Sequence, residues 1–206
     1  IIVGFMGVLA GFVILSYYSV VAGWALSYVF KSGAYMAAGA DSAGIFVSSI
    51  TSTFGGIFWH TLFMILCIGI VYGGVENGIE RWSKILMPVL FVLLLVLIIR
   101  SVTLPGAGEG LSFYLRPNFS AFNAEGFLAA LGQVFFTLSL GMGCMITYGS
   151  YLKKDEDLPL NAKYVVSFDT IIALLAGFVI FPAVFAFGLE PAAGPGLTFI
   201  TLPAVF

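Results

Sequence analysis

The chain has 206 residues, of which 61% are hydrophobic and 9% charged, with a formal net charge of −2. Soluble domains carry roughly 25% charged residues, and a water-facing surface this apolar would aggregate or find lipid. Composition therefore excludes an ordinary soluble fold, requires a lipid bilayer as partner, and offers nucleic acid no basic stripe to bind.

Stretches long enough to cross roughly 30 Å of hydrocarbon, at about 1.5 Å per residue, lie at about 1–30, 55–75, 82–101, 126–151 and 163–188. The first begins at once, without a basic flank, and is too long for a signal-peptide core. Its excess length implies tilt or extension beyond the bilayer. With the chain ending in FITLPAVF, both ends read as cuts within a larger protein. Tyr17 and Tyr18 lie midway along this span, away from the interfacial belt where tyrosines usually sit. A mid-span phenol needs a hydrogen-bond partner, which a ligand carboxylate or a neighbouring helix supplies equally well.

Residues 31–54 are small and polar and read as a loop, and Trp59 and His60 read as an interfacial anchor at the start of the second span. A second loop is 73–81 (GGVENGIER), and Glu76, Glu80, Arg81 and Lys84 read as a solvated loop or helix end. The third loop, 102–125, contains LPGAGEG and RPNFS, and the fourth is 152–162. Residues 189–206 read as a re-entrant segment, because 197–206 is apolar but too short to span. Cys67 and Cys144 fall in apolar runs and read as reduced packing residues. Arg81, Lys84, Lys153, Lys154 and Lys163 flank the second and fourth loops, against Lys31, Arg100 and Arg116 on the other side. The positive-inside rule puts the second and fourth loops in the cytoplasm, so the first span runs outward and the 189–206 segment is extracellular.

The fourth span is unusual. Gly132, Gly141, Gly143 and Gly149 interrupt it, and Gln133 and Thr137, four residues apart, aim a polar stripe at the interior. Glycine lowers the cost of leaving helical geometry. Unwinding over 138–143 would free backbone groups at membrane depth, where protein or a wet cavity must satisfy them. The opposing half-helix ends would then offer a positive end to an anion and carbonyls to a cation. The glycines have a second use, close helix packing; the polar stripe favours unwinding. In the fifth span, Asp169 stands among lipid-grade residues. A carboxylate there costs about 2.5–3.5 kcal/mol unless paired or coordinated, and hydroxyl, carbonyl and carboxylate oxygens together suit a hard cation. A buried acid hydrogen-bonded near the helix end is the alternative.

The segment GQVFFTLSLGMGCMITYGSYL, followed by FDTIIALLAGFVIFPAVF, resembles helices six and seven of the neurotransmitter:sodium symporter family, in its prokaryotic branch. LSYYSVVAGW resembles its third helix, GVENGIERWSKILMPVLFVLLLVLIIRSVTLPGA its fourth-to-fifth helix segment, and FITLPAVF the extracellular loop after helix seven. The resemblance implies an all-α polytopic membrane protein and a partial inverted-repeat amino-acid symporter fold with a discontinuous helix. Residues 1–206 form one transmembrane fragment, helices three to seven of a parent with about twelve. It also implies roles. Tyr18 binds the substrate carboxylate; Ile14, Ser139 and Met142 line the pocket; Phe136 lids it. Thr137 and Asp169 belong to a sodium site, with Thr137 also beside the substrate. Gln133 and Asp169 stand where chloride-dependent members bind chloride.

Two departures carry expectations. A fixed charge at Asp169 implies chloride-independent transport, with Asp169 a candidate proton shuttle. Met142, where some relatives have Phe, suits a bulky apolar or aromatic amino acid. The function implied is sodium-coupled symport of a neutral amino acid across a prokaryotic inner membrane. The partners are the amino acid, Na+ and the rest of the parent transporter, with room for a homodimer. The family's first and eighth helices complete the sodium sites, so this chain alone is expected neither to bind sodium tightly nor to transport. The rival is an uncoupled channel or solute-sensing bundle. Without paired carboxylates, a Ser/His/Asp set or zinc-ligand spacing, an enzyme is not expected.

Overall fold

The computed structural model describes residues 1–35, 42–119, 123–188 and 197–205. Among these, every regular element is helical. The long helices are α1 (Ile2–Tyr35), α3 (Thr53–Tyr72), α4 (Arg81–Val102) and α8 (Leu158–Ala186), and the shorter α2 (Ser42–Thr51) lies between α1 and α3. Spans Ile2–Lys31, Thr53–Tyr72, Val75–Val102 and Leu158–Ala186 are each long and apolar enough to cross a bilayer. The chain is a polytopic membrane protein. Its fourth apolar stretch is absent from that set because it is cut in two, α6 (Ala124–Thr137) and α7 (Cys144–Tyr151).

Three readings made from sequence need correction. The loops at 31–54 and 102–125 contain helices, α2 and α5 (Ala107–Leu115); residues 36–41 and 120–122 of those loops lie outside the described residues. The loop at 73–81 is a π-helical turn, Val75–Glu80, that runs into α4. It places Glu80 one turn before Lys84, and the two form an exposed ion pair. His60 does not begin its helix. The α3 helix starts at Thr53, capped by the Ser52 hydroxyl, which accepts from the Gly55 N–H at 3.2 Å. His60 lies two turns in, against Gly23, where an added Cβ would stand 2.9 Å from the His60 nitrogen. Of the re-entrant segment, 189–196 and 206 lie outside the described residues; Leu197–Thr201 is a π turn leading into α9 (Leu202–Val205).

The chain forms two compact units, one of residues 1–15 and 115–175, the other of 16–114 and 176–206. The second unit has a tight core around the C-terminal part of α8. Pro182 removes a backbone donor inside α8. Nearby, Ser101 of α4 is fully buried and donates its hydroxyl to the Val179 carbonyl at 2.6 Å, tying α4 to α8. The α5 helix lies almost in backbone contact with α8. An added Cβ at Gly110 would strike Phe181 and Pro182, and one at Gly177 would strike the Tyr114 ring. Ala183 and Val184 are wholly buried there. At the other end of this unit, Phe199 stacks on Phe46, with centroids 5.7 Å apart and planes at 5°, and meets Trp24 and Tyr28 edge-on. These contacts fasten the 197–205 segment to α1 and α2.

Candidate functional site

The site lies in the first unit, where α6 stops. Its start is fixed by Asn123, whose side-chain oxygen accepts from the Gly126 N–H at 2.7 Å. Its end is a Schellman turn: the Leu140 N–H donates to the Phe135 carbonyl at 2.8 Å, and the Ser139 N–H to the Phe136 carbonyl at 3.1 Å. Such a turn needs a left-handed residue, usually glycine. Here it is Ser139, at φ 54°. A serine in that conformation costs about 1–2 kcal/mol relative to the right-handed region, and strain of this kind is characteristic of functional sites. Gly141 and Gly143 follow at φ 77° and 78°, and α7 restarts at Cys144. Three left-handed residues within five positions make re-entry into the helix impossible before Gly143.

The two helix ends face this break with opposite polarity. The last carbonyls of α6 carry the negative end of its dipole, and the first N–H groups of α7, with no side-chain cap on Gly143, carry the positive end. The Thr137 hydroxyl, on the last residue of α6, donates to Asp169 Oδ1 of α8 at 2.9 Å. An acid of α8 and a hydroxyl of α6 thus meet at the negative end of the α6 dipole, an arrangement of hard oxygens that favours a cation.

Of the residues singled out in the sequence, the structure brings Thr137 and Asp169 together. Phe136 and Thr137 close α6, Ser139 and Met142 lie in the break, and Gln133 lies one turn earlier on the Thr137 face. Ile14 and Tyr18 lie one turn apart on α1, half-buried and half-exposed respectively. Tyr17 meets the Tyr18 ring edge-on at 5.9 Å. Both cysteines are free thiols and half-buried. Among the described residues, no three His, Cys, Asp or Glu side chains gather as a metal cluster.

Sequence reading missed Gly7 and Gly11. A Cβ at Gly7 would stand 3.1 Å from the Gly141 carbonyl oxygen, and one at Gly11 would stand 3.2 Å from that of Met142. The unwound backbone lies directly on these two glycines of α1. Their four-residue spacing in an apolar span was the available signal.

A model of the sodium:neurotransmitter symporter family matches residues 34–205. The uncharacterized sodium-dependent transporter YhdH of Bacillus subtilis is 46% identical over 98% of this chain and 46% of its own length. A sodium-dependent transporter of Haemophilus influenzae is 45% identical over 100% of this chain and 46% of its own length. The crystal structure of MhsT in complex with L-phenylalanine superposes with a TM-score of 0.90 at 52% identity, covering 99% of this chain and 47% of that one. The chain thus spans about half the length of the relatives it matches.

Proposed function

The chain belongs to the sodium:neurotransmitter symporter family, and from that premise we propose that the complete protein couples inward sodium movement to uptake of a neutral, bulky apolar or aromatic amino acid across a prokaryotic inner membrane. The observation that carries the proposal is the Thr137–Asp169 hydrogen bond at the broken end of α6. It supplies part of an oxygen cage for sodium, at a helix terminus whose dipole already favours a cation. Sodium is a co-substrate here, and the remaining ligands come from outside this chain.

On this reading the positive end of α7 receives the substrate carboxylate, which in turn completes the sodium shell. That mutual completion is the physical source of coupling: each ligand raises the affinity of the other by the same factor. Ile14, Ser139 and Met142 border the side chain, and Phe136 covers it. L-Phenylalanine is the first substrate to test, because the related MhsT binds it and Met142 leaves adaptable space. The Asp169 carboxylate supplies a fixed negative charge at the site, so chloride is not needed for charge balance.

The test is uptake of L-phenylalanine into vesicles holding the complete protein, under an imposed inward sodium gradient, with chloride replaced by gluconate. Accumulation that needs sodium, survives gluconate and exchanges with preloaded phenylalanine supports the proposal. Strong chloride dependence would overturn the anion assignment. Passive flux without exchange would replace symport by an uncoupled channel.

A further inference from the structure

Two carbonyl groups of the break in the fourth span, those of Gly141 and Met142, point the same way. The oxygen of Gly141 is nearer to α1 than its carbon: a Cβ at Gly7 would lie 3.1 Å from the oxygen and 3.8 Å from the carbon. The Met142 oxygen likewise lies against Gly11, as the one atom within reach of an added Cβ. Both carbonyls are therefore turned onto the face of α1, and Val8, between the two glycines in sequence, reaches to 3.9 Å of a Cβ built on Gly143. Gly4, one turn earlier on α1, differs. An added Cβ there meets nothing within 4 Å, although Gly4 and Gly7 border one cavity of about 210 Å³ with Ser139, Leu140 and Gly141.

We infer that Gly7 and Gly11 are positioning residues for the ligand site. They form the seat that fixes the depth and rotation of the break, holding the Gly141 and Met142 carbonyls against α1 and so presenting the Thr137–Leu140 side to ligand. The inference rests on the proposed transport function for what the break binds, but not for where the break is seated. Its physical basis is the absence of slack. A methyl at either glycine comes closer to a backbone oxygen than nine in ten real Cβ contacts, so the neighbour must yield by a few tenths of an ångström. The neighbour is unwound backbone, whose displacement moves the groups on either side of it, Thr137 and Ser139 included. Misplacement of about 1 Å can cost roughly 100-fold in a positioned site, so a few tenths should cost about fivefold.

The test compares Gly7→Ala and Gly11→Ala with Gly4→Ala in the complete protein with every cysteine except Cys144 replaced by alanine. The native Cys144, the first residue of α7, then reports the position of the break through its alkylation rate. Gly7→Ala and Gly11→Ala should change that rate at least about twofold and weaken half-saturation by sodium and by L-phenylalanine about fivefold, with a smaller change in maximal uptake. Gly4→Ala should move none of these. If the three variants share one Cys144 rate, the seat is refuted. If the wild-type protein takes up no amino acid, the transport reading falls, while the Cys144 comparison still decides the inference. Should the alanine variants fail to fold, Val8→Ala leaves both glycines in place and removes the α1 side chain nearest Gly143: a changed Cys144 rate supports the seat, and an unchanged rate contradicts it.

Discussion

The break between α6 and α7 and the clasp around Pro182 both depend on glycine, and for opposite reasons. In the clasp, Gly110 and Gly177 have ordinary helical backbone and no space, because the α8 backbone at Phe181 and Pro182 and the Tyr114 ring occupy the place of a side chain. In the break, Gly141 has space, with nothing within 4 Å of an added Cβ, but a left-handed backbone that a side chain would strain. One use of glycine brings helices together and makes a buried, fully satisfied core around Ser101, Ala183 and Val184. The other takes a helix apart and leaves an acid, a hydroxyl and two helix ends for ligands. Stability and function are thereby segregated along the chain, and substitutions should sort accordingly.

The largest effect is expected at the site. Asp169→Ala should weaken the apparent sodium affinity of uptake by roughly 100-fold, the scale of about 3 kcal/mol for a lost hydrogen bond to a charged group, with little change in thermal stability. Asp169→Asn keeps an oxygen but removes the charge, and should make uptake respond to chloride. A large loss of stability in either variant would show that the acid belongs to the structural half of the contrast instead.

Next come the clasp glycines. Gly110→Ala and Gly177→Ala should each destabilise by about 1–3 kcal/mol through overpacking, seen as a lower melting temperature in detergent, while the folded fraction keeps its sodium affinity. A Tyr114→Leu change in the Gly177→Ala background should recover part of the loss, since the ring is what the new methyl meets. The smallest effect is predicted at Ser139. Ser139→Gly removes left-handed strain and should raise stability by up to about 1 kcal/mol, yet weaken substrate binding because the hydroxyl is gone. Unchanged binding would leave the strained serine without a functional reason.

The discontinuous helix was legible in the sequence because its glycines come with polar residues. Gln133 and Thr137 share a face, and an apolar span has no reason to carry such a stripe unless something polar meets it. Asp169 was legible for the same reason, since an intramembrane carboxylate is too costly to leave unpaired. The clasp was not. Gly110 sits in LPGAGEG, which carries the composition of a turn, and α5 is helical because α8 packs against its small residues, not through intrinsic propensity. Nor could α2 be read from SAGIFVSSIT, whose Phe46 is buried among aromatic rings distant in sequence. Gly7 and Gly11 escaped attention because glycine spacing in a membrane helix indicates a close approach without naming what approaches.

Equilibrium binding of L-phenylalanine to the complete protein, titrated with sodium for the wild type and for Thr137→Val, reaches most directly the claim that the end of α6 and Asp169 hold the coupling ion. Binding by the wild type should require sodium, and Thr137→Val should shift the sodium midpoint upward by about tenfold while leaving affinity at saturating sodium close to normal. Phenylalanine binding of equal strength with and without sodium, or a Thr137→Val titration that overlays the wild type, would contradict it.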